Sequence, residues 1–267
     1  MSTAYQSIQF DIQGPVARLT LARPDKMNSV TTAMHAELRD ALQRVEADRS
    51  VRALVLGAQG KGFCAGQDLA DPAARFVPPE TPPDLGNLVE YHYKPLVLQL
   101  RALRVPTIAA VQGIAAGAGI GIALSCDMVI AADSASFMLP FAKIGLVPDT
   151  GCTWLIAQRI GHARAMGLAL TGQRLSARDA VQWGLIWQSV PDAEFAAAID
   201  RQAAQLSELP THALVRTRQV FQAAQHHTLE EHLGFEAQNI RELGRSADYI
   251  EGVTAFLEKR PAKFNRG

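Results

Sequence analysis

Two glycine-rich segments, each preceded by a short apolar run, constrain the fold of this chain most strongly. The sequence KGFCAGQDL spans residues 61–69, and VQGIAAGAGIGIAL spans residues 111–124. The runs that lead into them, at 51–57 and 106–111, are rich in residues that favour buried strands. Each segment is therefore predicted to be a strand that turns into a helix. Because the first N–H groups of a helix lack partners, two such turns side by side can direct two donors at one oxygen, as a developing oxyanion requires.

Strand and helix patterns alternate over the first 190 residues. Two runs at 8–12 and 16–21 alternate apolar and polar residues about a Gly-Pro turn, which predicts a β-hairpin. Such alternation along the chain predicts a layered α/β core with crossover connections. The other predicted elements, in chain order, are a helix at 31–48, a strand at 51–57, a helix at 86–103, a strand at 107–111, a helix from about 117, and strands at 127–132 and within 183–190.

From residue 194 onward the apolar periodicity is helical, and no linker rich in glycine or proline precedes it. We therefore predict a β/α core over residues 1–190 and three or four helices over residues 191–267, packed on the core or on a neighbouring subunit. Residues 70–84 contain five prolines and are predicted to form a loop.

Charge and cysteine content limit the class of protein. The chain has 26 basic and 26 acidic side chains, which argues against nucleic acid as a partner. Its three cysteines, Cys64, Cys126 and Cys152, show neither disulfide nor metal-ligand spacing, so we expect a reducing, cytoplasmic location and no metal. No signal peptide is visible, and the longest apolar stretch, at 108–124, includes Gln112 and four glycines; no membrane partner is expected.

The second glycine-rich segment superficially suggests a nucleotide site. Gly117, Gly119 and Gly121 have the spacing G-x-G-x-G, whereas the dinucleotide motif needs G-x-G-x-x-G after the first strand of the fold. The first segment lacks the Gly-Lys-Ser/Thr of a phosphate-binding loop. Close packing of a helix on a strand also favours glycine, so taken singly each segment fits packing as well as function.

Longer strings carry a resemblance to a known family. FCAGQDL at 63–69, PTIAAVQGIAAGAG at 106–119, CDMVIAADSASF at 126–137 and IGLVPDTGCTWL at 144–155 resemble the enoyl-CoA hydratase/isomerase, or crotonase, superfamily, and the resemblance runs nearly end to end. It implies a crotonase (ClpP-like) α/β fold with repeated ββα units and a C-terminal helical trimerisation region. It also implies homotrimers or dimers of trimers, an acyl-CoA thioester substrate, and no separate cofactor.

By that resemblance the backbone N–H groups of Gln67 and Ala118 form an oxyanion hole. Hydratases of the superfamily use two glutamates at positions that correspond here to Gly121 and Phe141, so the two-glutamate mechanism is unavailable. Asp149 corresponds to the catalytic aspartate of dienoyl-CoA and ring-epoxide isomerases. Two interpretations of Asp149 stay open: a base, or the N-cap of the helix that follows it.

The resemblance also predicts which residues contact the acyl-CoA. Near the hole these are Ala65, Gly66, Asp68, Leu69, Gly117 and Phe141; toward the CoA nucleotide they are Lys26, Phe256 and Lys259, the last two often from a neighbouring subunit. A helix cap is the other interpretation of Asp68. We expect Leu146, Val147 and Trp154 to desolvate Asp149. His92 is placed to face the acyl pocket or to be structural, and Cys64 is expected to fill apolar space.

Within the superfamily, ARAMGLALTG at 163–172 and GRSADYIEGVTAFLEKR at 244–260 resemble the group that isomerises ring-1,2-epoxyphenylacetyl-CoA and moves double bonds in enoyl-CoA chains. One departure is Thr-Gly-Cys-Thr at 150–153, where that group has Cys-Gly-Gly-Thr. Our hypothesis is an isomerase whose thioester enolate lies in the hole while Asp149 moves a proton. The alternatives are a hydratase-like enzyme, an aryl-CoA dehalogenase or hydrolase with Asp149 as nucleophile, and a non-catalytic acyl-CoA-binding scaffold.

Overall fold

Nine strands form two sheets in the computed structural model, which describes residues 5–78 and 80–264. The larger sheet has the order β1-β2-β3-β4-β6-β9; its first pair is antiparallel and all other pairs are parallel. The smaller sheet has the order β5-β7-β8. The strands are β1 Ile8–Gln13, β2 Val16–Leu21, β3 Ala53–Ala58, β4 Thr107–Val111, β5 Ile114–Ala116, β6 Met128–Ala132, β7 Ser136–Met138, β8 Arg174–Ser176 and β9 Gln188–Val190.

Within the described residues, ten α-helices connect and cover these strands. Side chains cap the starts of α1, α6 and α9, since Thr31, Ser176 and Thr228 each accept a hydrogen bond from the backbone N–H three residues on. The helices are α1 Thr32–Ala47, α2 Leu85–Leu88, α3 Lys94–Ala102, α4 Ala118–Leu124, α5 Cys152–Thr171, α6 Ala177–Trp183, α7 Phe195–Glu208, α8 Thr211–Ala223, α9 Leu229–Leu243 and α10 Ala247–Leu257.

The central parallel strands of the larger sheet, β3, β4 and β6, are buried on both faces. In β3, Leu54 and Leu56 point into a core that includes α1, α3 and α4. The alternate residues, Ala53 and Val55, pack with α7 on the other face. The first helix beyond residue 190 therefore covers part of the sheet, and the division of the chain at that residue stays a prediction.

The structure departs from the predicted elements at three places. Strands β5, β7 and β8 are three residues long, too short to show alternation. The strand expected within 183–190 is confined to β9 because α6 extends to Trp183. The helix expected at 86–103 is α2 and α3 joined by a π-helical turn at Val89–Tyr93, and the extra residue of such a turn rotates the side chains that follow it.

Beyond α7, helices α8 to α10 complete the four helices of the C-terminal region, which agrees with the predicted number. The last two present large apolar side chains to the surface, among them Phe256, which is 82% exposed, and Leu257, which is 73% exposed. No helix in the described part of the chain combines the length and apolar character needed to cross a membrane.

Candidate active site

The two glycine-rich segments lie side by side, held by backbone hydrogen bonds. The N–H groups of Phe63 and Cys64 both donate to the carbonyl of Ile114, at 2.9 and 3.1 Å. The N–H of Ala116 donates back to the carbonyl of Cys64 at 2.8 Å. This ladder extends β5 with the first segment, so the predicted juxtaposition of the two turns is present.

The turns bring two free N–H groups to one place. Gly66 has a φ of +95°, and a Cβ at this position would lie 3.1 Å from the carbonyl oxygen of Ala116 and 3.3 Å from the nitrogen of Ala118. Only glycine accommodates that conformation and that approach. Among the described residues, the N–H groups of Gln67 and Ala118 have no hydrogen-bond acceptor. Ala118 is the first residue of α4, whose positive end therefore adds to the same site.

Both donor residues line a cavity of about 460 Å³. Its walls are mostly apolar, and the first segment, the π-helical turn and residues 140–149 all contribute to it. Among the described residues of the lining, Asp149 is the only acidic side chain and Lys143 the only basic one. Of the residues predicted to contact substrate, the cavity lining includes Ala65, Gly66, Gln67, Leu69, Gly117, Ala118, Phe141 and Asp149.

Asp149 is half-buried and is not the cap of the next helix. The N-cap of α5 is Gly151, and no side chain in the described structure caps this helix end, so the N-cap interpretation is wrong. The carboxylate instead accepts a hydrogen bond from the hydroxyl of Thr150, with 2.8 Å between Oγ1 and Oδ1. Burial raises the pKa of the Asp149 carboxyl, while the hydrogen bond from Thr150 opposes that rise. A carboxylate in this state is suited to accept a proton.

Three apolar residues, Leu146, Val147 and Trp154, were predicted to desolvate Asp149. Leu146 and Val147 line the cavity as expected, but 41% and 79% of their surfaces are exposed. Trp154 is outside the described lining; the guanidinium of Arg101 lies 4.9 Å from its ring centroid. That Trp154 desolvates Asp149 therefore stays a prediction.

Comparison with known proteins identifies the family. The model of the family described as enoyl-CoA hydratase/isomerase matches residues 11–267. The chain belongs to the enoyl-CoA hydratase/isomerase family. A 1,2-epoxyphenylacetyl-CoA isomerase from Escherichia coli strain K12 is 49% identical, over 95% of this chain and 96% of the relative. A protein from Rhodobacter capsulatus named as a probable enoyl-CoA hydratase is 43% identical, over 98% of both chains.

Solved structures agree on the fold. The crystal structure of an enoyl-CoA hydratase from Bacillus anthracis superimposes with a TM-score of 0.90 at 28% identity, covering 98% of this chain and 100% of that one. The α/β crotonase fold predicted from the sequence is thereby confirmed.

For this member of the enoyl-CoA hydratase/isomerase family, the structure shows the surroundings of Gly121 and Phe141, the two positions at which the resemblance places the hydratase glutamates. Phe141 is buried and lines the cavity, with its ring tip 3.7 Å from where a Cβ on Gly117 would lie. At Gly121 a Cβ would lie 2.3 Å from the carbonyl oxygen of Thr150. One position is an apolar wall and the other has no room for any side chain.

Tyr93 is a site residue that the sequence did not reveal. It is buried, lines the cavity, and donates its hydroxyl to Oε1 of Gln67 at 2.7 Å. Burial raises its pKa well above the ordinary value, so the hydroxyl stays protonated as a donor. His92, the predicted candidate, is outside the described lining and its ring lies 5.5 Å from that of His35. The π-helical turn determines that Tyr93, and not His92, lines the cavity. No pattern in the sequence predicts such a turn.

The remaining predicted contact residues lie outside the lining of this cavity. Asp68 forms an ion pair with Arg23 at 2.9 Å and accepts a hydrogen bond from the N–H of Ala70. Lys26, Phe256 and Lys259 are exposed, and their contacts with CoA stay predictions. Among the described residues no cluster of side chains has the composition of a metal site.

Two buried cysteines, Cys64 and Cys152, pack next to the turns that carry the oxyanion donors. Cys64 is fully buried in the core, where burial raises the pKa of its thiol to about 12. The thiol of Cys152 is also buried and lies 3.6 Å from the carbonyl oxygen of Gly117. Neither thiol has the low pKa of a nucleophile, so both are packing groups of the site.

Proposed function

We propose that this protein is an acyl-CoA isomerase that acts through a thioester enolate, with ring-1,2-epoxyphenylacetyl-CoA or an enoyl-CoA of aromatic degradation as its substrate. The observation that carries the proposal is the composition of one cavity. Two N–H groups without acceptors, on Gln67 and Ala118, face the same apolar space as a single half-buried carboxylate, Asp149. A stabilised enolate and one proton carrier suffice for a proton shift between carbons.

The two N–H groups supply electrostatic stabilisation. The thioester carbonyl accepts both hydrogen bonds, and the bonds strengthen as removal of a neighbouring proton moves negative charge onto that oxygen. Preorganised donors of this kind lower a barrier by about 3–4 kcal/mol each. Because they are backbone groups on buried turns, they need no rearrangement during the reaction.

Asp149 carries the proton in the proposed mechanism. Its ionised carboxylate takes a proton from one carbon of the acyl group, which leaves the enolate in the hole. It returns the proton to a different carbon as the enolate collapses, so the double bond moves and the carboxylate is regenerated. For a ring epoxide, isomerisation to an oxepin breaks the carbon–carbon bond that the epoxide shares with the six-membered ring and shifts the ring double bonds, with no atom gained or lost. The two N–H groups hold the thioester oxygen during this change.

The structure favours isomerisation over hydration. A hydratase must hold a water molecule and exchange protons with it, which in this family takes two carboxylates. Here the wall at Phe141 is aromatic and buried, and Gly121 packs against the backbone at Thr150. The identity to the Escherichia coli isomerase supports the same assignment.

Further features of the holoenzyme belong to this proposal. Homotrimers or dimers of trimers are supported by the exposed apolar side chains of α9 and α10. Lys26, Phe256 and Lys259 are proposed to contact the CoA nucleotide, the last two across a subunit boundary. Three buried free cysteines support a cytoplasmic location. The proposed proton transfer needs neither a metal nor a separate cofactor.

A panel of three thioesters tests the proposed function. The purified protein is incubated with ring-1,2-epoxyphenylacetyl-CoA, a 3-enoyl-CoA and crotonyl-CoA, and products are identified by mass and ultraviolet absorbance. We expect products of unchanged mass and altered absorbance from the first two. Rapid addition of water to crotonyl-CoA would indicate a hydratase instead. An aryl ester trapped on Asp149 from a halogenated aryl-CoA would indicate a dehalogenase, and tight binding without turnover would indicate a scaffold.

A further inference from the structure

Thr150 has an unusual backbone conformation at a critical place. Its φ is +53°, in the left-handed region that β-branched residues rarely adopt. The residue is buried, with only 3% of its surface exposed. It follows Asp149 directly and precedes Gly151, which also has a positive φ, of +76°. Such strained conformations persist only where the surrounding structure fixes them, and they concentrate at functional sites.

The contacts of Thr150 explain what fixes it. On one side, a Cβ at Gly121 would lie 2.3 Å from its carbonyl oxygen and 2.8 Å from its methyl carbon, so the residue lies directly on α4. On the other side its hydroxyl donates to Oδ1 of Asp149 at 2.8 Å. Thr150 therefore fills the space between the helix that starts at the oxyanion hole and the carboxylate that faces it.

The hydrogen bond orients the carboxylate. Oδ1 of Asp149 is occupied by the Thr150 hydroxyl, whereas Oδ2 has no side-chain donor among the described residues. A hydrogen bond to an ionised carboxylate favours the ionised form, and here it acts against burial. One oxygen thus accepts the Thr150 hydroxyl, and the residue that carries the carboxylate lines the cavity.

We propose that Thr150 is the positioning residue of Asp149, whose hydroxyl and left-handed backbone hold Oδ1 so that Oδ2 receives the substrate proton. This inference rests on the proposed role of Asp149 and deepens it by naming what sets the direction and ionisation of that carboxylate. It also links two sequence features of this chain. The close approach of Thr150 requires a glycine at position 121. Thr150, which positions Asp149, therefore occupies the space that a glutamate at position 121 would need.

The ionisable groups around Asp149 are few, which makes the effect of Thr150 measurable. From the cavity wall Lys143 and Tyr93 face the site. From the start of α5 the buried thiol of Cys152 lies beside Asp149, and burial keeps it protonated. None of these donates a hydrogen bond to the Asp149 carboxylate in the described structure.

The test compares Thr150→Val with Thr150→Ser. Valine keeps the branched shape and backbone cost of threonine but lacks the hydroxyl, whereas serine keeps the hydroxyl and lacks the methyl group. Thr153→Val is the matched control, since it makes the same chemical change at an exposed position three residues on. The readouts are the carboxyl carbon-13 titration of Asp149 in the free protein, assigned with Asp149→Asn, and the pH profile of kcat for isomerisation.

We expect Thr150→Val to raise the pH at which Asp149 titrates and to lower kcat about tenfold at the acidic end of the profile. In Thr150→Ser, which keeps the hydroxyl, and in the control Thr153→Val, we expect Asp149 to titrate at the same pH as in the wild type. If Thr150→Val does not fold, Thr150→Ala removes the same hydroxyl with less crowding and is expected to show the same rise. An unchanged Asp149 titration in a folded variant without the hydroxyl overturns the role of Thr150. Full activity of Asp149→Asn would instead overturn the proposed function, and the two results are measured separately.

Discussion

The two halves of the candidate active site are built in opposite ways. The oxyanion donors are backbone groups on buried turns, fixed by a hydrogen-bonded ladder between Cys64 and Ala116. The acid is a side chain on a turn with exposed apolar neighbours, Ile144, Leu146 and Val147, and with two consecutive residues of positive φ. The donor half supplies its hydrogen bonds from the backbone, on a turn that needs the glycine at position 66, and serves any thioester enolate. The acid half depends on individual side chains and therefore decides which reaction follows.

The donor half is expected to be the more sensitive to a single methyl group. In Gly66→Ala, the new Cβ would meet the carbonyl oxygen of Ala116 at 3.1 Å with φ at +95°, which displaces the N–H of Gln67. We expect kcat to fall about 100- to 1,000-fold, the usual effect of losing one such donor. Gly14→Ala is the control, because Gly14 also has a positive φ but nothing within 4 Å. Equal losses of kcat in the two variants would mean that the donors are not where we place them.

Restoring a hydratase acid tests whether the two halves are coupled. Gly121→Glu forces a side chain against the carbonyl of Thr150, so we expect a loss of about 3 kcal/mol in the free energy of unfolding. We expect no gain in hydration of crotonyl-CoA. Gly167→Glu is the matched control, since this exposed helical glycine has nothing within 4 Å of its Cβ position. Stability is measured by urea unfolding and hydration by the crotonyl-CoA assay. A Gly121→Glu variant that is as stable as the wild type and hydrates crotonyl-CoA would show that the turn at Thr150 can move away from α4.

The ionised carboxylate of Asp149 is expected to lower the free energy of unfolding. The pKa of Asp149 is higher in the folded protein than in the unfolded chain because burial disfavours the charge. Its ionised form therefore opposes folding at neutral pH, and the cost disappears as the pH falls below the unfolded value. We expect Asp149→Asn to stabilise the fold by roughly 0.5–2 kcal/mol at pH 7 and by less near pH 4. Thermal unfolding at both pH values checks this, and a destabilised variant at pH 7 would contradict it.

Tyr93 connects the two halves through the side chain of Gln67. Tyr93→Phe removes the hydrogen bond to Oε1, and we expect a loss of about 0.5–1.5 kcal/mol in stability with a several-fold lower kcat/KM. Tyr91→Phe, at an exposed tyrosine two residues earlier, should leave both unchanged. If Tyr93→Phe matched Tyr91→Phe in both measurements, the Gln67 side chain would have no part in placing the donor.

Sequence patterns predicted those elements whose structure is determined by interactions within one short segment of the chain. Strands β1 to β4 and β6 and helix α1 follow from side-chain periodicity. The donor turns and Asp149 were predicted by longer strings that resemble a family, and the cavity lining contains these residues. These parts were accessible because each lies within one continuous segment.

The rest depends on contacts between distant segments. Tyr93 lines the cavity in place of the predicted His92, because the π-helical turn contains one extra residue and so rotates the side chains that follow it. The contact of Thr150 with Gly121 joins segments 29 residues apart and is encoded by no local pattern.

Exchange of the substrate α-proton with solvent tests the central claim most directly. A 3-enoyl-CoA is incubated in deuterium oxide with wild-type protein or Asp149→Asn, and deuterium in the recovered thioester is measured by mass spectrometry. The binding of a non-isomerisable thioester is measured in parallel. We predict that the variant binds the thioester as the wild type does but exchanges and isomerises at least about 100-fold more slowly. Wild-type rates of exchange and isomerisation in folded Asp149→Asn would contradict the account.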